Sequence, residues 1–173
     1  MNIGLLGFGV VGGGVWELAQ ENRALNVKKV LVRREAPSLG KAAVQDVEAI
    51  LRDTEIDTVV EVLGGLHPAY EWICRALAAG KDVVTANKAV ISAYYRELTA
   101  LARENGVALR CTAAVGGGIP WLVNLQRCRR VDTVTEVGGI MNGTTNFIMD
   151  AMARQGADFP AVLQRAQELG YAE

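Results

Sequence analysis

The sequence predicts an α/β fold, a doubly wound parallel sheet of the Rossmann type followed by the beginning of a second, α+β domain. Three observations carry that prediction. An apolar run at Ile3–Leu6 leads into Gly7-Phe8-Gly9-Val10-Val11-Gly12 and then into a helical pattern at Val11, Val15 and Leu18. Short apolar runs then alternate with helical patterns across loops of a few residues, the rhythm of parallel strands joined by crossover helices. Beyond Pro120 the hydrophobic period changes to two, which marks strands with one face exposed or covered by a partner.

The glycine turn sets the first element. In G-x-G-x-x-G between strand and helix, the first glycine permits the tight turn and the second lets backbone approach a pyrophosphate. The third lets the helix pack on its strand with its N-terminus aimed at phosphate. Gly7, Gly9 and Gly12, with Phe8, Val10 and Val11 between them, stand at those places. After a helix ending near Asn22, Val27–Val32 forms a second strand and stops at Arg33-Arg34. An acidic residue about 20 positions past the glycines would hold ribose hydroxyls, whereas arginine pairs with a 2′-phosphate; Arg33 favours NADP, while Glu35 close by leaves NAD open.

A loop at Leu39–Lys41 and a short helix from Asp46, with Val47, Ile50 and Leu51 on one face, precede the strand Thr58–Leu63. That strand ends in Gly64-Gly65, where backbone can pass beneath a bound cofactor. His67-Pro68 opens a helix bearing Trp72, Ile73, Ala76 and Leu77, which Gly80 ends; His67 reads as a turn residue, since no partner for proton transfer is evident. The strand Asp82–Thr85 leads to Ala86-Asn87-Lys88-Ala89 at the sheet edge where open α/β sheets bind ligands, and position alone leaves Lys88 equally a crevice lysine or the surface start of the helix to about Asn105. Ala108–Val115 is the next strand and breaks at Gly116-Gly117-Gly118. A short helix to about Cys128, an alternating strand at Val131–Ile140 and two helices, about Asn146–Gln155 and Ala161–Leu169, complete the pattern. The dinucleotide-binding domain is accordingly expected over 1–119 and the start of a substrate and dimerisation domain, apparently truncated, over 120–173.

Composition excludes several classes. Half of the 173 residues are hydrophobic, 21% are charged and the net charge is −1, so a packed domain is expected and no basic surface for nucleic acid is evident. No apolar stretch reaches the roughly 18 residues of a membrane span, and the N-terminus lacks the pattern of a signal peptide; a cytoplasmic protein is expected. Cys74, Cys111 and Cys128 are odd in number and widely spaced, which fits buried thiols better than disulfides or zinc. Cys111 as the nucleophile of an aldehyde-oxidising enzyme is a second reading, with no cysteine-centred motif around it.

Five stretches taken together resemble homoserine dehydrogenase over the whole chain: Gly7–Gly12, Glu61-Val62-Leu63-Gly64-Gly65, Thr85-Ala86-Asn87-Lys88-Ala89, Gly138-Gly139-Ile140-Met141-Asn142-Gly143-Thr144-Thr145-Asn146-Phe147-Ile148 and Leu169-Gly170-Tyr171-Ala172-Glu173. The resemblance implies NAD(P)-dependent interconversion of L-homoserine and L-aspartate 4-semialdehyde, in the biosynthesis of threonine, methionine and isoleucine. It implies that Lys88 assists proton transfer where cofactor and substrate meet, that Glu173 holds the substrate ammonium, and that Asn142, Gly143 and Thr144 help form the substrate cleft. Gly170, Asn87 and the Gly64-Gly65 pair would approach the cofactor. These roles are chemically coherent: alcohol oxidation needs hydride and proton acceptors together, and a desolvated lysine can have its pKa lowered toward the working pH. The family also implies a homodimer and a monovalent cation, Na+ or K+, at positions corresponding to Thr112, Val115, Gly117 and Ile119. Many members carry glutamate where this chain has Thr112, which weakens the cation expectation without removing it, since backbone carbonyls are ligands any residue supplies. Members continue past the Gly-Tyr-Ala-Glu segment into a stretch with an aspartate and a second lysine. This length of chain is therefore expected to bind NADP(H) and to turn over homoserine weakly or not at all. The reading from a different class is a non-catalytic NADP-binding or association module.

Overall fold

The computed structural model describes residues 1–34, 36–140, 142–169 and 171. Two compact units are present, Met1–Val123 and Asn124–Glu173. In the first, β1 (Asn2–Leu6), β2 (Asn26–Leu31), β3 (Ala43–Val44), β4 (Thr58–Glu61), β5 (Asp82–Thr85) and β6 (Leu109–Arg110) form one sheet in the order β3-β2-β1-β4-β5-β6, every neighbouring pair parallel. The order reverses between β1 and β4, and in open parallel sheets a ligand crevice lies outside the strand C-termini at that point.

The helices cover both faces because successive strand side chains alternate between them. Leu6, Leu31, Val59 and Val83 form one core with Ile50 and Leu51 of α2 (Glu48–Leu51), Ile73 and Leu77 of α3 (Ala69–Ala78), and Val90 and Leu98 of α4 (Lys88–Glu104). Ile3, Leu5, Val27, Val30 and Val60 form the opposite core with Ala19, Val15 and Trp16 of α1 (Val10–Glu21). Gly4 is what allows α2 so close: a Cβ there would lie 2.3 Å from Ile50 Cγ2.

The expected elements and the observed ones differ in instructive places. Strand β3 was not expected, because two residues are too few to show a period; it follows a 3₁₀ segment, Pro37–Ala42, broken at Gly40, where a plain loop is expected. The expected strand at 108–115 pairs with β5 only at Leu109–Arg110 and then turns into a 3₁₀ turn, Thr112–Ala114. Val131–Ile140 is not a strand: no described residue ladders with it, and Val131, Val134, Val137 and Ile140 are exposed. Period two supplies the two faces of a strand, but the backbone adopts a ladder only where a neighbour accepts its hydrogen bonds.

Helix α5 (Trp121–Cys128) matches the expected position. In the second unit, α6 (Gly143–Gln155) and α7 (Phe159–Glu168) bury Ile148, Ala151, Val162 and Ala166 against one another. Gly156, in left-handed conformation, ends α6, and Pro160 in the first turn of α7 meets no demand for an amide donor there.

Candidate functional site

At the turn, three glycines do three different things. Gly7 has φ +106°, and a Cβ on it would sit 3.2 Å from both Leu63 Cδ2 and the Val62 carbonyl oxygen. A Cβ on Gly12 would lie 2.3 Å from the carbonyl oxygen of Gly7, so only glycine lets α1 start this close to β1. Gly9 meets no protein atom within 4 Å of where its Cβ would be; the space it leaves faces outward. Gly9 is also the N-cap of α1 and supplies no side-chain cap, and the first turn of α1 carries no acidic residue. The first-turn amides therefore keep hydrogen-bonding capacity and the positive end of the helix dipole for an anion. Phe8 packs edge-on to Trp16 at 6.5 Å, anchoring the turn to its helix, and Val10 and Val11 stand exposed beside it.

Around this turn lies a cleft of about 850 Å³, within the usual range for small-molecule sites. Gly7, Phe8 and Gly9 form one wall, the end of β2 with Arg33, Arg34 and Ala36 a second, and Val62, Leu63 and Gly64 beyond β4 a third. Arg33 and Arg34 are exposed and supply two cations to the lining of the cleft. Gln45, Pro68 and Trp72 also line the cleft, although none of them reads as a site residue in the sequence. Gln45 follows the unforeseen β3, and Trp72 reads as one more apolar position of a helix, so neither carried a signal. Glu35 lies outside the described residues.

Asn87 and Lys88 sit at the C-terminal edge of β5. Asn87 is the N-cap of α4: its Oδ1 accepts from the Val90 amide at 3.2 Å, and its Nδ2 donates to the Gly65 carbonyl at 2.7 Å. The first residue of α4 is Lys88, and it is exposed. One hydrogen bond thus ties the lysine-bearing helix to the Gly64-Gly65 loop, whose two glycines have φ +76° and +69°. Beneath them a fully buried carboxylate, Glu61, accepts from the Leu63 amide at 2.8 Å, the Thr85 hydroxyl at 2.5 Å and more distantly Asn87 Nδ2 at 3.4 Å. Thr85 Oγ1 in turn accepts from the Asn87 amide at 3.0 Å. The visible signal for Glu61 is a lone charge inside the apolar run Thr58–Leu63.

In the second unit, Asn142, Gly143 and Thr144 begin α6. Asn142 Oδ1 caps the Thr145 amide at 2.8 Å, and the Thr144 hydroxyl donates to the carbonyl of Tyr171. Tyr171 also stacks edge-on with Phe147 at 5.2 Å, so Tyr171 packs against the first turn of α6. Gly170 and Glu173 lie outside the described residues.

The cysteines and His67 differ from expectation. The cysteines are not uniformly buried: Cys111 is, Cys74 is half-buried and Cys128 is exposed. Burial pushes the Cys111 thiol above its ordinary pKa of 9.0, the opposite of what an attacking thiolate requires. His67 does have a carboxylate partner, Glu71 Oε1 at 2.6 Å and one helical turn on, at the surface. At the cation positions, Thr112, Gly117 and Ile119 are exposed and Val115 is half-buried. The Thr112 and Ile119 carbonyls accept from the Val115 and Trp121 amides, whereas those of Val115 and Gly117 accept no backbone hydrogen bond among the described residues. No cluster of three or more His, Cys, Asp or Glu that could hold a metal occurs among the described residues.

Comparison with known proteins points to one family. The family described as homoserine dehydrogenase, NAD binding domain, matches residues 7–112, and the family described as homoserine dehydrogenase matches residues 120–173. A homoserine dehydrogenase of Synechocystis is 43% identical over 185 residues, spanning all of this chain and 43% of its own length. A crystal structure of a homoserine dehydrogenase from Thiobacillus denitrificans superposes with a TM-score of 0.90 at 40% identity, over 100% of this chain and 43% of that one. A hyperthermophilic archaeal homoserine dehydrogenase in complex with NADPH gives 0.83 at 26% identity, over 99% of this chain and 62% of that one. The chain thus spans about 43% of the length of the curated relatives it matches, and it belongs to the homoserine dehydrogenase family.

Proposed function

We propose that this chain is the cofactor-binding part, with the start of the substrate-binding part, of an NADP-dependent enzyme interconverting L-homoserine and L-aspartate 4-semialdehyde. The observation that carries the reading is the cleft at the reversal of strand order: it is lined by Gly9 at an uncapped helix N-terminus and by Arg33 and Arg34, and Asn87, the cap of the helix that begins with Lys88, donates a hydrogen bond to the carbonyl of Gly65 next to its Gly64 wall.

The residues fit a dinucleotide phosphate. Gly9 leaves room for a pyrophosphate against the first-turn amides of α1, and Arg33 supports the 2′-phosphate preference, since a guanidinium pairs with phosphate in a bidentate way. When bound, the nicotinamide supplies or accepts the hydride. Lys88 at the edge of β5 transfers the proton to or from the substrate oxygen, and Glu173 pairs with the substrate ammonium, a cation that needs a carboxylate once withdrawn from water. Asn142, Gly143 and Thr144, at the first turn of α6, belong to the substrate side. The Val115 and Gly117 carbonyls, with the Thr112–Ile119 turn around them, are neutral oxygen donors of the kind that suits a monovalent cation. The dinucleotide domain is taken as residues 1–119 and the substrate and dimerisation domain as beginning at 120, in a homodimer. The enzyme is taken as cytoplasmic; within the described residues no helix is long and apolar enough to cross a membrane.

The intact polypeptide is expected to consume NADPH when given aspartate semialdehyde, and Lys88→Ala to abolish that consumption while leaving NADPH binding in place. Absence of semialdehyde-dependent NADPH oxidation, or unchanged kinetics in Lys88→Ala, overturns the reading.

A further inference from the structure

Glu61 is fully buried at the end of β4, where any apolar residue would complete the strand. A carboxylate withdrawn from water persists only where hydrogen bonds replace its hydration, and here the replacements come from two separate segments. Leu63, leading into Gly64-Gly65, donates from the cofactor side. Thr85, at the end of β5, donates its hydroxyl and accepts the Asn87 amide with the same oxygen. Asn87 completes the circuit by bonding Gly65 and capping the helix whose first residue is Lys88. Thr85 and Asn87 are themselves buried, and no buried side-chain nitrogen or oxygen among the described residues lacks a partner. A satisfied buried network of this kind has few alternative arrangements and fixes the groups it joins.

We infer that Glu61, acting through Thr85 and Asn87, is a positioning residue that fixes Lys88 against the Gly64-Gly65 loop. The inference rests on the role proposed above for Lys88. The circuit does not reach the reacting atoms itself; its effect is to hold the proton-transferring amine at a set place relative to the cofactor wall. Misplacing a catalytic group by about 1 Å can cost on the order of 100-fold in rate.

The discriminating variants are Thr85→Val, which keeps the shape and removes the hydroxyl, and Thr85→Ser, which keeps the hydroxyl. In the intact polypeptide, Thr85→Val is expected to lower kcat for aspartate semialdehyde reduction roughly 10- to 100-fold with KM for NADPH changed much less. Thr85→Ser is expected to restore most of the rate. Amide hydrogen exchange supplies the readout independent of chemistry: in Thr85→Val, exchange should quicken about tenfold or more at Val90, bonded to Asn87, and also at Leu63, across the circuit. Unchanged kcat, a Ser variant as slow as the Val variant, or faster exchange confined to Val90 overturns the inference. If the wild-type protein consumes no NADPH with semialdehyde, the proposed function fails instead, and the paired exchange at Leu63 and Val90 alone decides whether Glu61 couples the two loops.

Discussion

Replacing the three glycines of the turn one at a time by alanine separates what they do for the fold from what they do for the ligand. At Gly12 the new Cβ would lie 2.3 Å from the Gly7 carbonyl oxygen, and reaching ordinary contact moves α1 and the turn apart by roughly 1 Å. Both partners are backbone, so no rotamer change relieves the clash. Overpacking of this kind costs about 1–3 kcal/mol, offset by at most about 1 kcal/mol from alanine's better helix propensity. The displaced first-turn amides also lose their aim, and one charge-assisted hydrogen bond is worth about 1.5–3 kcal/mol, roughly 10- to 100-fold in NADPH affinity. At Gly9 the outcome should differ in kind. Its φ of −85° suits any residue and no protein atom lies within 4 Å of the new Cβ, so stability should stay within about 0.5 kcal/mol while affinity falls tenfold or more, because the methyl occupies the phosphate approach. Gly13→Ala, equally open and mid-turn in α1, serves as the control: affinity unchanged and stability raised by up to about 1 kcal/mol. Urea unfolding and NADPH fluorescence titration measure both quantities on the same samples. A Gly12→Ala protein with wild-type stability and affinity, or a Gly13→Ala protein as damaged as it, refutes the reasoning.

Arg33→Ala should weaken NADPH binding by roughly 10- to 100-fold and leave NADH binding nearly unchanged, since only the 2′-phosphate distinguishes the two; equal losses for both would remove Arg33 from the specificity role. In native protein a thiol reagent should label exposed Cys128 readily and buried Cys111 only on unfolding, and Cys111→Ala should retain turnover in the intact polypeptide; inactivation tracking Cys111 labelling would revive a thiol mechanism. The Asn2 amide, donating at 2.9 Å, and the Thr58 hydroxyl at 2.7 Å hold the Asp57 carboxyl below its ordinary pKa of 3.8. Its stabilisation is therefore fully present above that value and is lost as pH falls through the lowered one, so urea midpoints should fall with pH there less steeply in Asp57→Asn than in the wild type, and an identical acid limb would contradict the assignment.

The parts of this protein legible in its sequence are those where one residue meets one local constraint. Gly7 must take φ +106° and Gly12 must lack a Cβ, and both demands follow from the strand, turn and helix on either side of them. The helix start at Lys88 is similarly local. What escaped the sequence depends on residues far apart in the chain. Two-residue β3 exists because β2 offers it hydrogen bonds, whereas Val131–Ile140, whose apolar residues Val131, Val134, Val137 and Ile140 in fact stand three apart, has no such offer among the described residues. Gln45 and Trp72 become cleft residues only once β3 and α3 are placed.

The same distinction separates the two ends of the candidate site. The phosphate end is built from backbone, whose donors any sequence supplies and whose approach only glycine permits, so its chemistry is written in the spacing of glycines. The end proposed for proton transfer is built from side chains, and in the sequence Lys88 alone reads equally as a surface lysine at a helix start. The support for the proposed role comes from the circuit beneath it: Glu61 from β4, Thr85 from β5 and Asn87 between them converge on the first turn of α4 and on Gly65 across a gap of 22 residues. A lysine needed only for solubility requires no buried carboxylate network under its helix cap. A lysine that must meet a substrate oxygen beside a cofactor requires that its helix begin at one place, and on the proposal made above the buried hydrogen bonds of Glu61, Thr85 and Asn87 set that place.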